Sequence, residues 1–318
     1  MTVDNGKTME FSHISVLFEE SIKALGVKEN AVYADGTLGG GGHSEGILRQ
    51  NSSCRLIGID RDSDAIAAAS ERLKPFGGRF TAVKANFCEI KGILDELGID
   101  GLDGAILDLG VSSYQLDNAE RGFSYMKDAP LDMRMDRQAE LSAYDVINSY
   151  PAERLARVFF EYGEEKWSKR IAEFIEERRR TAPIKTTGEL VDIIKAAIPK
   201  KARLEGGHPA KRVFQAVRIE VNGELRILEQ AVRDFVSCLK PGGRLAVITF
   251  HSLEDRIVKK TFAELAKGCI CPKDFPVCVC GRKPAVRIIS RKPVLPSERE
   301  EKENPRSKSA KLRIVEKL

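Results

Sequence analysis

Along the first third of the chain, short apolar runs alternate with stretches of helical periodicity. Ala31-Val-Tyr-Ala34, Arg55-Leu-Ile-Gly-Ile59, Phe80-Thr-Ala-Val83 and Gly104-Ala-Ile-Leu107 are short, bounded by turn residues, and read as buried strands. Between them, Asp64 to Leu73 and Ile90 to Leu97 carry helical patterns. Strict alternation of strand and helix predicts a parallel sheet built by right-handed crossovers. Past Tyr114 the alternation stops, and Arg121 to Asp136, rich in Gly, Pro, Met and charge, reads as a long ordered loop. Helices then follow one another. In Trp167 to Arg180, the apolar Trp167, Ile171, Phe174 and Ile175 share one face. Thr186 and Glu189 form a capping box ahead of Leu190, Val191, Ile193 and Ile194. One long helix is expected from about Ala210 to Leu239, ended by Lys240-Pro-Gly-Gly243, after which Leu245-Ala-Val-Ile-Thr-Phe250 reads as another strand. The pattern therefore predicts a helical domain (119–216) inserted between two parts of one α/β domain (1–118 and 217–318). No internal repeat is visible.

Composition agrees with a globular protein. Of 318 residues, 42% are apolar and 31% charged, which excludes a disordered or collagen-like chain. No apolar run reaches the roughly 18 residues of a membrane-spanning helix. The first residues, Met1-Thr-Val-Asp-Asn-Gly, lack the basic and apolar regions of a secretory signal. Seven cysteines, an odd number, suit a reducing compartment better than a disulfide scaffold, so a cytoplasmic location is expected. The net charge of +5 is unevenly spread. Lys166 to Arg218 holds 14 Lys/Arg against 6 Asp/Glu, and Arg282 to Leu318 holds 12 against 5. The rest is acidic. Two basic segments on an acidic body are expected to meet a polyanion from particular sides, although a solvated helical face has the same composition.

The candidate chemistry begins at Tyr33-Ala-Asp-Gly-Thr-Leu-Gly-Gly-Gly-Gly-His-Ser-Glu-Gly46, between the first strand and a helix. In an open α/β sheet a nucleotide-like ligand meets the strand ends there, and Asp60 ends the next strand, where an acid can bind both hydroxyls of a ribose. The glycines at 36, 39, 40, 41, 42 and 46 do not give the G-x-G-x-x-G spacing that a pyrophosphate needs. The turn is led by Asp35, which would repel a pyrophosphate but can pair with an ammonium. S-adenosylmethionine carries adenosine, ammonium and carboxylate without phosphate, so the turn favours it over a purely structural loop.

Longer strings make a resemblance specific. Asp35 to His43, Gly58-Ile-Asp-Arg-Asp62, Leu107-Asp-Leu-Gly-Val-Ser-Ser113, Arg121-Gly-Phe-Ser124, Pro130-Leu-Asp-Met-Arg-Met-Asp136, Arg212-Val-Phe-Gln-Ala-Val-Arg218 and Phe250-His-Ser-Leu-Glu-Asp-Arg256 resemble the ribosomal RNA small-subunit methyltransferase H family, also called MraW, from His13 to Val315. The resemblance implies a Rossmann-like class I S-adenosylmethionine-dependent methyltransferase acting on the exocyclic N4 of a cytidine in the decoding region of 16S ribosomal RNA. It also implies cofactor contacts at Gly41, Gly42, His43, Asp60, Phe87, Asp108 and Gln115. The same fold acting on DNA or another RNA, or an idle RNA-binding assembly factor, stays open on the sequence.

A cytosine amino group is a poor nucleophile, because its lone pair is delocalised. The site must orient it and accept hydrogen bonds from its N–H groups. Asp108, ending a strand, is suitably placed either for that role or for holding the cofactor. Many amino-methyltransferases continue Asp/Asn-Pro-Pro-Tyr/Phe here; Asp108-Leu-Gly-Val111 departs from that, so an aromatic platform is expected at Tyr114 or Phe123. His251, after the later strand, either touches substrate or is structural, and His208 beside Pro209 suits a loop cap. Lys200, Lys201, Arg203, Lys211 and Arg212 are the candidate RNA contacts. Cys269, Cys271, Cys278 and Cys280 either bind zinc or are reduced thiols packed in a loop.

Overall fold

The computed structural model describes residues 15–204, 207–272, 277 and 279–318, with the side chain of Leu204 left aside. Seven strands form one sheet: β1 (Val32–Asp35), β2 (Arg55–Asp60), β3 (Phe80–Lys84), β4 (Leu102–Asp108), β5 (Leu239–Thr249), β6 (Val286–Ile288) and β7 (Lys311–Lys317). Their spatial order is β3-β2-β1-β4-β5-β7-β6. The first five are parallel, as the alternating pattern predicts, and β7 runs antiparallel between β5 and β6.

Helices cover both faces: α1 (Phe18–Leu25), α2 (Gly42–Gln50) and α3 (Ser63–Leu73) on one, and α4 (Ile90–Glu96), α12 (Glu224–Cys238) and α13 (Ser252–Ala266) on the other. Strand residues divide between these faces with period two. Val32 and Ala34 pack with α4 and α12, whereas Tyr33 faces the α1–α2 layer; Leu245 and Val247 likewise oppose Ala246 and Ile248. The inner strands β1, β2 and β4 are buried on both sides, which is why they read as unbroken apolar runs, whereas β3, expected to be buried, is an edge strand and only partly covered.

Between β4 and β5 lie α5 (Ser113–Asp117), an ordered loop, and then α6 (Ala143–Ser149), α7 (Ala152–Gly163), α8 (Ser168–Thr181), α9 (Thr187–Ala197), α10 (Lys200–Leu204) and α11 (Lys211–Asn222). This block has a hydrophobic core of its own, reaching from Phe123 to Val221. The expected capping box at Thr186 and Glu189 opens α9. α14 (Glu298–Glu303) precedes β7, and the Glu300 carboxylate accepts from the Leu17 N–H.

Two expectations are corrected. The single helix over 210–239 is two helices, broken at Gly223, whose φ of 61° is left-handed. Asn222 fixes the break: its side-chain oxygen accepts from the Met135 N–H and its amide donates to the Met133 carbonyl. The apolar stripe continues across the break because α11 packs in the helical block and α12 on the sheet. Also, β5 begins at Leu239 rather than Leu245. Leu239 pairs with Leu102 and Arg244 with Gly104, so Lys240-Pro-Gly-Gly243 is a bulge inside the β4–β5 ladder instead of a loop before it.

Candidate active site

Crossovers leave β1 toward β2 on one side, and β4 leads to β5 on the other. This switch point is where an open α/β sheet forms a crevice beyond its strand ends. A cleft of about 1080 Å³ lies there, walled by the glycine turn, the ends of β2 and β4, α5, the polar side of α11 and the start of α13.

The turn is stitched to every neighbouring strand. Gly36 N–H donates to the Ile106 carbonyl, Leu38 N–H to that of Ile59, and Gly39 N–H to Asp60 Oδ2 at 2.9 Å. Thr37 Oγ1 accepts from the Asp108 N–H at 2.6 Å. A Cβ at Gly36 would come within 2.4 Å of Leu107 Cδ2, so glycine there lets the turn lie against β4. Gly41, at φ 75°, opens α2 in a left-handed conformation.

Carboxyl groups dominate this edge. Asp60 accepts one backbone N–H on each oxygen, from Gly39 and from Asp62, both at 2.9 Å. Burial pushes its carboxyl above the usual range despite those bonds. Asp108 lies on the cleft wall with about a quarter of its side chain exposed. Its Oδ2 lies 3.8 Å from His43 Nδ1, while its Oδ1 is buried without a hydrogen-bond partner. Burial, then the charges of Asp35 and Glu254, push Asp108 well above the ordinary carboxylate range. Asp35 is raised to about 6 by burial, against hydrogen bonds from Ser44 Oγ (2.7 Å) and the Thr37 N–H (3.2 Å). Such a cluster of unwillingly ionised acids suits a cation. The fit to S-adenosylmethionine, which carries a sulfonium and an ammonium, rests on that cluster and on the unpartnered Asp108 oxygen.

The expected cofactor residues are placed as follows. Gly42, His43, Asp60, Phe87, Asp108 and Gln115 line the cleft. His43 Nε2 donates to the Val16 carbonyl at 3.0 Å, which leaves Nδ1 turned to Asp108. Gln115 also closes the capping box of α5 and donates to Asp62 Oδ2 at 2.8 Å, where the buried Arg121 guanidinium arrives at the same distance. Asp35 and Gly41 are not on the cleft wall. Asp35 is turned inward to Ser44 and the turn, where it holds the loop's shape.

Of the aromatic candidates, Tyr114 lines the cleft and is half exposed. Phe123 does not: it is buried in the helical core with the Arg121 guanidinium 5.9 Å from its ring centre. Phe250 and Tyr125 also line the cleft. His208 is a loop cap, accepting from the Ala210 N–H and stacked on Tyr125 at 4.5 Å.

His251 lines the cleft as the N-cap of α13. Its Nδ1 accepts from the Glu254 N–H at 3.4 Å, and its Nε2 sits 3.1 Å from Glu254 Oε1. Burial raises the Glu254 carboxyl, but the facing His251 ring, the charge of Arg218 and the Phe250 N–H outweigh it and leave it below its usual range. Arg218 makes a two-pronged pair with Glu224, both contacts at 2.9 Å. Sequence reasoning missed Gln215, Arg218 and Glu254. The signal was present: Lys211, Gln215 and Arg218 recur at helical spacing on one side of α11, and His251-x-x-Glu254 is a capping pair. Of the expected RNA contacts, Lys211 is on the wall. Arg212 turns to the Glu164 carbonyl at 3.3 Å, and Lys200, Lys201 and Arg203 on α10 are not on the wall. Cys278 lies outside the described residues, and the three other cysteines of that cluster are away from the cleft.

The family model for the MraW methylase family matches residues 10–318. The ribosomal RNA small subunit methyltransferase H of Clostridium botulinum (strain Loch Maree / Type A3) is 60% identical over 311 residues, covering 98% of this chain and 100% of that protein. The proteins of the same name from Clostridioides difficile (strain 630) and Symbiobacterium thermophilum are 55% and 57% identical, each over 98% of this chain and over 100% and 98% of their own lengths. This chain, with its carboxylate-lined cleft at the switch point of the sheet, thus belongs to the MraW methylase family of S-adenosylmethionine-dependent methyltransferases.

Proposed function

We infer that this protein methylates the exocyclic N4 of a cytidine in the decoding region of 16S ribosomal RNA. The observation that carries the amine chemistry is Asp108: a partly exposed carboxylate on the cleft wall whose Oδ1 lacks a donor. A cytosine N4 amine brings N–H donors to it. The ribosomal substrate is supported by the names of relatives that match this chain across both the sheet and the helical block. A cytoplasmic location follows from that substrate. The polar side of α11 borders the cleft, which supports substrate recognition by the helical block. We draw that block as 119–222 rather than 119–216, because its core extends to Val221 and the chain breaks at Gly223.

When bound, S-adenosylmethionine supplies a methyl group made electrophilic by its sulfonium. Asp60 would hold the ribose, Phe87 would offer an apolar surface to the base, and the backbone of Gly39, Gly40 and Gly42 would face the ligand. Asp108 accepts an N–H of the amine and turns its lone pair toward the methyl. Asp108, held well above the ordinary carboxylate range by burial and by Asp35 and Glu254, would be ionised only with a cation beside it, and its preference for a proton would let it take the one released from N4. His251 and Glu254, with Arg218 beyond them, line the cleft and would face the substrate side.

The test is methyl incorporation from labelled S-adenosylmethionine into purified 16S RNA, naked and in assembled small subunits, with the modified nucleoside identified by mass spectrometry. N4-methylcytidine in the decoding region is expected. Another methylated nucleoside, or methylation of DNA in preference, would reassign the acceptor. No incorporation into any of these substrates, with S-adenosylmethionine still bound, would leave an assembly factor.

A further inference from the structure

We propose that Cys269, Cys271 and Cys280 bind one zinc ion, forming a structural metal site outside the catalytic cleft. These residues lie in the connection from α13 to β6. Their sulfur atoms are all within 4.8 Å of one another, and those of Cys269 and Cys280 are 3.7 Å apart. Zinc–thiolate bonds of about 2.3 Å in a tetrahedron put neighbouring sulfurs about 3.8 Å apart. One edge of the cluster therefore already has the length found in a zinc site, and the others lie within 4.8 Å.

The backbone is arranged for thiolates as well. Cys271 N–H points at Cys269 Sγ (3.4 Å), Val279 N–H at Cys271 Sγ (3.4 Å) and Ile270 N–H at Cys280 Sγ (3.5 Å). Each of the three sulfurs thus receives a backbone donor. Such bonds are weak to a neutral thiol and strengthen when the sulfur carries charge.

Among the described residues of this loop, Ile270, Val277 and Val279 are 51%, 70% and 74% exposed and form no core. Its ends are anchored, with Ala285 N–H donating to the Leu265 carbonyl and Arg282 Nη2 to that of Glu264. A metal at the sulfur cluster supplies the missing centre, as it does in small domains that cannot bury enough apolar surface. Soft thiolates select zinc over the oxygen-seeking divalent ions. Binding releases one proton to solvent from each thiol ligand. The fourth coordination position is not assigned. None of the three cysteines lines the cleft, so the ion takes no part in methyl transfer.

The full chain, purified under reducing conditions without chelators, should contain about one zinc per molecule by mass spectrometric metal analysis. Stripping the zinc and titrating with cobalt should give intense thiolate-to-cobalt charge-transfer absorption that zinc then abolishes. The Cys269→Ser/Cys271→Ser/Cys280→Ser variant should lose both signals, and Cys238→Ser should keep them. Affinity for S-adenosylmethionine should be the same in the triple variant as in the parent. If the triple variant does not fold, the cobalt titration of the parent decides alone. Zinc-free parent protein without cobalt absorption, another metal in its place, zinc content unchanged in the triple variant, or a disulfide within the cluster under reducing conditions would each overturn the proposal.

Discussion

Removing the Asp60 carboxylate should cost the protein most of its grip on the cofactor's ribose. An ionised carboxylate offers about four acceptor positions over its two oxygens. Here one position on each oxygen is taken by a backbone N–H, from Gly39 and Asp62. One position per oxygen remains, which matches the two hydroxyls of a ribose. A hydrogen bond to a charged group contributes about 1.5–3 kcal/mol net, so losing both costs about 3–6 kcal/mol. At about 1.4 kcal/mol per decade, Asp60→Ala should weaken S-adenosylmethionine binding by two to four decades, and by at least about tenfold if only one bond forms. Slackening of the turn at Gly39, which loses its acceptor, adds to the effect. Isothermal titration calorimetry measures the affinity, and a thermal melt verifies that the fold persists. A cofactor analogue lacking ribose hydroxyls closes the cycle: it should bind the parent poorly, but Asp60→Ala no worse than it binds the intact cofactor. Unchanged affinity of Asp60→Ala for the intact cofactor would remove Asp60 from the site.

If Asp108 orients the amine, Asp108→Asn should lower kcat far more than cofactor affinity; a proportionate fall in both would make it a cofactor ligand only. Asp35 has a folded-state value of about 6 against an ordinary 3.8, so the native state holds a proton there that the unfolded chain has lost. Its contribution therefore turns unfavourable as pH rises from about 4 to 6, by about 3 kcal/mol once complete. Asp35→Asn should accordingly gain stability relative to the parent between pH 4 and 7 in denaturant titrations, and a pH-independent difference would refute the assignment. Neutralising Lys200, Lys201 and Arg203 together should weaken RNA binding and flatten its salt dependence without touching cofactor affinity. A parental salt slope would mark them as a solvated face, and shift the search to Lys211 on the cleft wall and to the basic segment after Arg282.

The sequence by itself determined the five parallel strands, the glycine turn with its acids, and the helical block. Each is written in local terms: apolar runs of strand length, a glycine cluster between strand and helix, apolar residues at helical spacing. The capping box of α9 was legible for the same reason. What local spacing does not encode is which way a side chain faces once distant segments meet. Asp35 and Asp60 end neighbouring strands, yet one is sealed behind Ser44 while the other faces the cleft. β7 inserts between β5 and β6 from the far end of the chain, and its buried Arg313 is accommodated only because Asp255 of α13 meets it at 2.7 and 3.1 Å. No short-range pattern announces such a strand. A single glycine costs a helix only about 1 kcal/mol, so Gly223 alone did not predict a break. The break follows from α11 and α12 belonging to different cores, with Asn222 bonded to the loop at Met133 and Met135. The raised state of Asp108 is likewise tertiary: Asp35 and Glu254, some 70 and 150 residues away in sequence, become its neighbours only in the folded sheet.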